Sequence, residues 1–177
     1  NGQLRAGAFA VDFLGDVLAE VGNVNFRQWQ YDVIATGWRQ PGSTFKIFTY
    51  GGLVERLTKE VLAAQPRLDT LELTAKVLER CTVLDAPIFV SLGRGRRTKK
   101  IENFHSRSEP EYRGDISCRI ALGESRNTAA MRAGARAGIK HVIELAYRLG
   151  MPRDEKHVLQ PYPTTAIGAS EVNPLAM

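Results

Sequence analysis

Helix-period apolar patterns recur between residues 68 and 149. Across residues 68–80, apolar side chains return at three- and four-residue spacing, and Asp69 or Thr70 stands where a helix N-cap belongs. Residues 140–149 have the same spacing and are followed by a glycine, a common helix terminator. The alanine-rich residues 128–137 also favour a helix, because alanine has the highest helix propensity. The pattern therefore predicts three helices in this part of the chain.

Shorter apolar runs predict β-hairpins. Residues 6–12 and 17–21 flank the turn Leu14-Gly15-Asp16, which is typical of two paired strands. Residues 87–90 are strand-like, and residues 100–104 are expected to pair back on them. The sequence thus predicts one hairpin at the start of the chain and a second near residues 87–104.

A fourth helix is predicted to begin at a chain-breaking Pro-Gly pair and to continue to about Leu57. Ser43 lies in its first turn, and Lys46 lies three residues later on the same face, inside an apolar run. Burial is therefore expected for Lys46. The preceding residues 22–38 are irregular and aromatic, and we expect them to pack over this helix.

The composition is ordinary for a soluble globular chain, with 44% hydrophobic and 24% charged residues. At 177 residues, one domain with a sizeable core is possible. No apolar run approaches the roughly 18 residues of a membrane helix, and the first residues do not have a signal-peptide pattern. We expect a soluble piece of a longer protein.

The net charge of +5 includes a basic cluster at the predicted tip of the second hairpin. Its members are Arg94, Arg96, Arg97, Lys99 and Lys100. Such a tip would suit nucleic acid or another anionic polymer, or it would be a solvated turn. We prefer the solvated turn, because surface loops vary freely, and we expect no nucleic-acid partner.

Metal and cofactor chemistry is not indicated. The three histidines, His105, His141 and His157, do not have the spacing of a ligand set. Cys81 and Cys118 lie outside any Cys-x-x-Cys arrangement, so we expect no zinc site. Two buried, unpaired thiols are the preferred interpretation, although the spacing leaves a disulfide open.

The Ser43-x-x-Lys46 pair carries the main chemical signal. A serine hydroxyl is a weak nucleophile until a neighbouring base takes its proton. A buried lysine is such a base, because desolvation lowers its pKa. The backbone N–H groups of a helix N-terminus also suit an anionic transition state. The alternative is an N-terminal serine beside a solvated lysine.

A second candidate motif is Ser125-Arg126-Asn127. On a continuous helix, Ser125 and Asn127 would point about 200° apart. The chain must therefore break between two helices if both are to face one site. The rival interpretation makes Ser125 or Asn127 an N-cap of the alanine-rich helix.

Ser-x-x-Lys followed by Ser-x-Asn is typical of penicillin-binding proteins and serine β-lactamases. The chain resembles the transpeptidase domain of class A, bifunctional penicillin-binding proteins. Three blocks carry the resemblance: Arg39-Gln40-Pro41-Gly42-Ser43-Thr44-Phe45-Lys46, Ala121-Leu122-Gly123-Glu124-Ser125-Arg126-Asn127-Thr128-Ala129-Ala130 and Gly168-Ala169-Ser170-Glu171-Val172-Asn173-Pro174-Leu175. The resemblance implies an α/β fold of the α+β type, with a helical subdomain and an incomplete antiparallel sheet. Residues 1–40 would form the hairpin and aromatic segment, and residues 41–177 the mainly helical active-site subdomain.

The resemblance also implies roles. Ser43 would attack the D-alanyl-D-alanine end of a peptidoglycan stem peptide, Lys46 would take its proton, and Ser125 would relay a proton to the leaving amine. Asn127 would hold Lys46 and the substrate amide. Thr44 and Arg126 would contact substrate, with Arg126 at the cleft mouth. β-Lactams would acylate Ser43, and no cofactor or metal is implied.

The Lys-Thr-Gly element of the family does not occur in this sequence. We therefore expect a partial domain, inactive or completed by another chain. Its parent would be membrane-anchored, with a glycosyltransferase domain and an extracytoplasmic location. Two alternatives stay open: a serine β-lactamase, and a non-catalytic binding or sensing module of the same fold.

Overall fold

The computed structural model describes residues 6–91, 98–104, 111–153 and 155–177. Within these residues there are five α-helices: α1 Lys46–Ala64, α2 Thr70–Arg80, α3 Cys118–Gly123, α4 Asn127–Ala137 and α5 Ile139–Arg148. The same residues form six strands: β1 Ala8–Val11, β2 Val17–Val21, β3 Thr82–Asp85, β4 Ile88–Ser91, β5 Thr98–Ile101 and β6 Gly114–Ser117. Single 3-10 turns span Gly42–Phe45, Pro163–Ile167 and Pro174–Ala176.

Helix α1 is the central element, and α2, α4 and α5 pack around it. Its inward face is apolar, and Leu53, Leu57 and Val61 are almost completely buried. Gly52 lets α5 approach closely, because a Cβ there would lie 3.1 Å from a methyl carbon of Val142. The helical subdomain expected from the sequence is thus built around the helix that carries Lys46.

The predicted helices are confirmed with small shifts. In α2, the Asp69 side chain accepts a hydrogen bond from Glu72 N at 2.8 Å, and Glu72 Oε2 accepts one from Asp69 N at 3.2 Å. This reciprocal capping box explains why the helix begins at Thr70. The predicted helix near Ser43 begins instead with the 3-10 turn Gly42–Phe45, and its α-helical part runs past Leu57 to Ala64.

The described strands pair antiparallel in three small sheets: β1 with β2, β3 with β6 and β4 with β5. Both predicted hairpins are confirmed. The sheet of β3 and β6 was not predicted, and its register pairs Thr82 with Ser117. The expected combination of a helical subdomain with antiparallel strands is confirmed, with the strands spread over three small sheets.

The N-terminal hairpin is the least buried part of the fold. Every residue of β1 and β2 is exposed. In the following segment, Phe26, Trp29 and Tyr31 are exposed as well, so the expectation that these aromatics pack over α1 is wrong. The segment is instead stabilised locally, since the Asp32 carboxylate accepts hydrogen bonds from Ile34 N and Ala35 N at 2.8 and 3.0 Å.

Two further expectations concern cysteines and charge. Cys81 and Cys118 are buried and unpaired, as preferred. Of the basic tip, residues 94, 96 and 97 lie outside the described residues, as does His105. Lys100 is described, and its Nζ lies 2.8 Å from Glu111 Oε1 in an ion pair. No helix in the described parts has the length and apolarity to cross a membrane.

Candidate active site

Ser43 lies in the 3-10 turn ahead of α1, and its side chain is exposed. This turn is positioned by the far end of the chain, because Gly42 N donates to Gly168 O at 3.2 Å. Gly168 has a φ of 77°, and a Cβ there would lie 2.0 Å from Gly42 O. Only glycine fits both conditions, so this contact determines where the serine is presented.

Thr44, the other candidate in the turn, is also exposed. Its hydroxyl donates to Pro41 O at 2.8 Å. This bond ties the side chain to the start of its own turn. The structure therefore places Thr44 beside Ser43, with a hydroxyl that closes the turn.

Lys46, the first residue of α1, is completely buried. Its ammonium group donates to three oxygens where α3 joins α4: Ser125 O at 2.6 Å, Ser125 Oγ at 3.0 Å and Asn127 Oδ1 at 2.7 Å. An ammonium has three N–H donors, and these contacts use all of them. Three of the residues predicted for the site are thus brought together by one buried amine.

The loop between α3 and α4 makes this convergence possible. Ser125 has a φ of 54°, which is uncommon for a residue other than glycine. The chain reverses at this residue, and Ser125 N and Arg126 N donate to Leu122 O and Ala121 O at 3.0 and 2.9 Å. The predicted break between two helices is confirmed. Ser125 and Asn127 therefore face Lys46 from the same side.

The expectation that Arg126 lines the cleft mouth is wrong. Its side chain is 2% exposed, and its Nε lies 3.2 Å from both Asp85 Oδ2 and Glu124 Oε2. Arg126 thus points into the protein, whereas the next residue, Asn127, faces Lys46. A buried guanidinium needs a carboxylate partner, and Asp85 supplies it.

Asp85, Asn103 and Thr128 form a buried polar cluster behind the loop, and sequence reasoning missed all three. The Asp85 carboxylate accepts from Thr128 Oγ1, from Asn103 Nδ2 at 2.7 Å and from Arg113 N at 3.0 Å. The aspartate that ends the short strand β3 was the available signal, because a buried carboxylate requires several donors.

The electrostatics of the site centre on Lys46. Burial lowers the pKa of Lys46 to about 8. A lysine with this pKa is present in part as a neutral amine near neutral pH, and a neutral amine accepts a proton. The Ser43 hydroxyl itself makes no side-chain hydrogen bond with the described residues, so it is open to an incoming electrophile.

The arrangement combines an exposed serine, a buried lysine of lowered pKa, a second serine hydroxyl and a carboxamide. Such a set can transfer an acyl group through an ester on Ser43. No group of histidine, cysteine, aspartate and glutamate that could hold a metal is found in the described parts of the chain.

Comparison with known proteins finds relatives among the penicillin-binding proteins. Penicillin-binding protein 1A of Rickettsia conorii is 27% identical to the chain over 144 residues, which is 81% of this chain and 15% of the relative. Penicillin-binding protein 1A of Haemophilus influenzae is 28% identical over 164 residues, covering 92% of this chain and 16% of the relative. No family model matches the chain.

The solved structure of the Haemophilus influenzae protein superposes with a TM-score of 0.66 at 25% sequence identity. The match covers 92% of this chain and 20% of that one. The fold and these relatives make the chain similar to a part of penicillin-binding protein 1A, so the resemblance stated above is confirmed. The chain spans about a sixth of the length of these curated relatives.

Proposed function

We propose that this chain supplies the acylating part of a D,D-transpeptidase that cross-links peptidoglycan. The observation that carries the proposal is the buried Lys46 amine, which bonds to Ser125 Oγ and Asn127 Oδ1 at 3.0 and 2.7 Å. Homology to penicillin-binding protein 1A supports the same class of chemistry.

In the first step, Ser43 Oγ attacks the carbonyl carbon of the penultimate D-alanine. The serine proton passes to neutral Lys46, and the backbone N–H of Ser43 donates to the developing oxyanion. The C–N bond to the terminal D-alanine then breaks. Lys46 gives a proton to Ser125 as Ser125 passes its own hydroxyl proton to the leaving amine, and an ester remains on Ser43.

In the second step, the amine of another stem peptide attacks the ester and forms the cross-link. Its proton returns by way of Ser125 and Lys46, and the Ser43 hydroxyl is regenerated. Asn127 holds the Lys46 amine throughout, and its carboxamide forms a hydrogen bond with the peptide amide of the substrate. A β-lactam mimics the dipeptide, and its ring opening leaves a covalent adduct on Ser43.

Further properties belong to the proposal because the chain matches only part of its relatives. The substrate would be the D-alanyl-D-alanine stem peptide, the location extracytoplasmic, and the parent membrane-anchored with a glycosyltransferase domain. A second chain or a further segment would complete the substrate cleft. Thr44 would line it beside Ser43, whereas Arg126 is not proposed as a substrate contact, because it is buried against Asp85.

The test is labelling by a fluorescent penicillin, read on a denaturing gel and followed over time. We expect stable label on the wild-type chain and none on Ser43→Ala. Ser170→Ala is the matched control, since the Ser170 hydroxyl pairs with Thr165 Oγ1 at 2.9 Å and not with Lys46. Equal labelling of Ser43→Ala would contradict the proposal. Rapid loss of the label with release of opened penicillin would indicate a β-lactamase instead.

A further inference from the structure

The N-terminus of α4 is capped by a residue from another part of the chain. Arg126 holds the N-cap position but makes no capping hydrogen bond through its side chain. Asn103 Oδ1 accepts from Asn127 N at 2.8 Å and from Thr128 N at 3.2 Å. The first N–H groups of a helix have no partner within it, so this single carbonyl satisfies two of them.

The orientation of the Asn127 side chain is determined from the same segment. Its Nδ2 donates to Glu102 O at 2.8 Å, while its Oδ1 accepts from Lys46 Nζ at 2.7 Å. Reversing the carboxamide would place an N–H against an ammonium and a carbonyl against a carbonyl. Residues 102 and 103 therefore hold Asn127 by its backbone and by its side chain at once.

Asn103 is itself fixed from behind. It is 5% exposed, and its Nδ2 donates to Asp85 Oδ1 at 2.7 Å and to Glu111 O at 3.1 Å. The completely buried Asp85 carboxylate is in turn held by Arg126 Nε at 3.2 Å. A chain of hydrogen bonds thus runs from Asp85, the last residue of β3, through Asn103 and Asn127 to the amine of Lys46.

From this geometry we propose that Asn103, held by Asp85, is a positioning residue that sets the Asn127 carboxamide against the Lys46 amine. In the described residues, Lys46 is hydrogen-bonded by Asn127 and not by Asn103, so Asn103 acts through Asn127. For catalysis, the inference rests on the proposed function. The positioning itself is a structural statement that can be tested without any activity.

The first test is nuclear magnetic resonance of the wild-type chain, with the Asn127 side-chain amide signals assigned by their loss in Asn127→Ser. In Asn103→Ala we expect these signals to shift and to lose their protection from hydrogen exchange. Asn173→Ala is the matched control, because Asn173 also caps a turn through Leu175 N and bonds a distant segment through Ala35 O. Unchanged Asn127 signals in folded Asn103→Ala would overturn the proposal.

An exchange of the two buried side chains keeps the proposal testable if Asn103→Ala does not fold. Asn103→Asp alone places two carboxylates in contact and should disturb the Asn127 signals strongly. Asp85→Asn combined with Asn103→Asp restores one donor and one carboxylate between the two positions, and we expect the signals to return toward wild type. No recovery in the double variant would overturn the role given to Asp85.

The second test measures acylation by a fluorescent penicillin per folded molecule. We expect Asn103→Ala to lower the acylation rate constant roughly ten- to a hundredfold, with little change in the affinity of the initial complex. A purely structural role would lower the melting temperature and leave this rate constant unchanged, which would overturn the catalytic part. An unlabelled wild-type chain would refute the proposed function, whereas the resonance test would still decide the positioning.

Discussion

The region around Lys46 and the N-terminal hairpin differ in burial and in the sequence range of the interactions that hold them. Lys46 is completely buried and bonds to residues that follow it by 79 and 81 positions. The hairpin of β1 and β2 is exposed at every strand residue and is shaped by its own ladder and by its turn, in which Asp12 Oδ1 accepts from Leu14 N at 2.8 Å. The site therefore depends on long-range packing, and the hairpin depends on local bonds.

This difference teaches where substitutions should matter. A change near Lys46 disturbs helices and loops that are far apart in sequence, because they meet only through buried contacts. A change in the hairpin alters an exposed surface with few partners.

The largest expected effect comes from Lys46→Ala. It removes the proposed general base and leaves Ser125 O and Asn127 Oδ1 without their donor, so acylation by a fluorescent penicillin should fall by roughly a hundred- to ten-thousandfold. Lys59→Ala is the control on the same helix, because the Lys59 side chain is 67% exposed. Labelling of Lys46→Ala at the wild-type rate would show that acylation does not depend on Lys46.

A matched pair of leucines tests the difference in packing between the core and the hairpin. Leu53 in α1 is 0% exposed, whereas Leu14 in the hairpin turn is 89% exposed. In urea denaturation, we expect Leu53→Ala to lower the free energy of unfolding by about 2–5 kcal/mol, through lost burial and a residual cavity. Leu14→Ala should change it by less than about 0.5 kcal/mol. Equal effects would show that the hairpin is integrated with the core.

The acylation rate should also depend on pH. Because burial lowers the pKa of Lys46 to about 8, the neutral amine is the minor form below that pH and the major form above it. The rate of labelling should therefore rise about tenfold per pH unit below 8 and level off above it. A labelling rate that stays constant between pH 6 and 9 would show that Lys46 does not take the serine proton.

The smallest effect concerns thiol accessibility. Cys81 and Cys118 are 3% and 7% exposed, so both should resist alkylation until the chain unfolds. A cysteine introduced by Leu18→Cys in the hairpin should react promptly, since Leu18 is 69% exposed. Mass spectrometry after brief alkylation gives the number of modified thiols. Prompt reaction of all three would remove the contrast between the regions.

Helices and the break in the second motif could be predicted from the sequence, because both follow from local rules. The apolar spacing of residues 68–80 and the Asp69 cap predict α2 directly. The angular separation of Ser125 and Asn127 on a helix requires a break if both serve one site.

The pairing of β3 with β6 could not be predicted in the same way. Each strand has four residues, and Thr82 pairs with Ser117 across a long intervening segment. Only tertiary packing selects such a partner.

The inward direction of Arg126 and the capping by Asn103 were also beyond the sequence. Both rest on contacts between residues far apart in the sequence: Arg126 with Asp85, and Asn103 with Asn127 N. The positive φ of Ser125 was not predictable either, because a serine, unlike a glycine, carries no local signal of that conformation. Buried polar clusters of this kind are visible only when the strands and loops are in place.

The most direct test of the central claim is intact mass after incubation with benzylpenicillin, followed by peptide mapping of the adduct. We expect a mass gain of one opened penicillin, located on the peptide that contains Ser43 and absent in Ser43→Ala. An adduct on Ser125, or a gain that persists in Ser43→Ala, would contradict the assignment of Ser43 as the nucleophile.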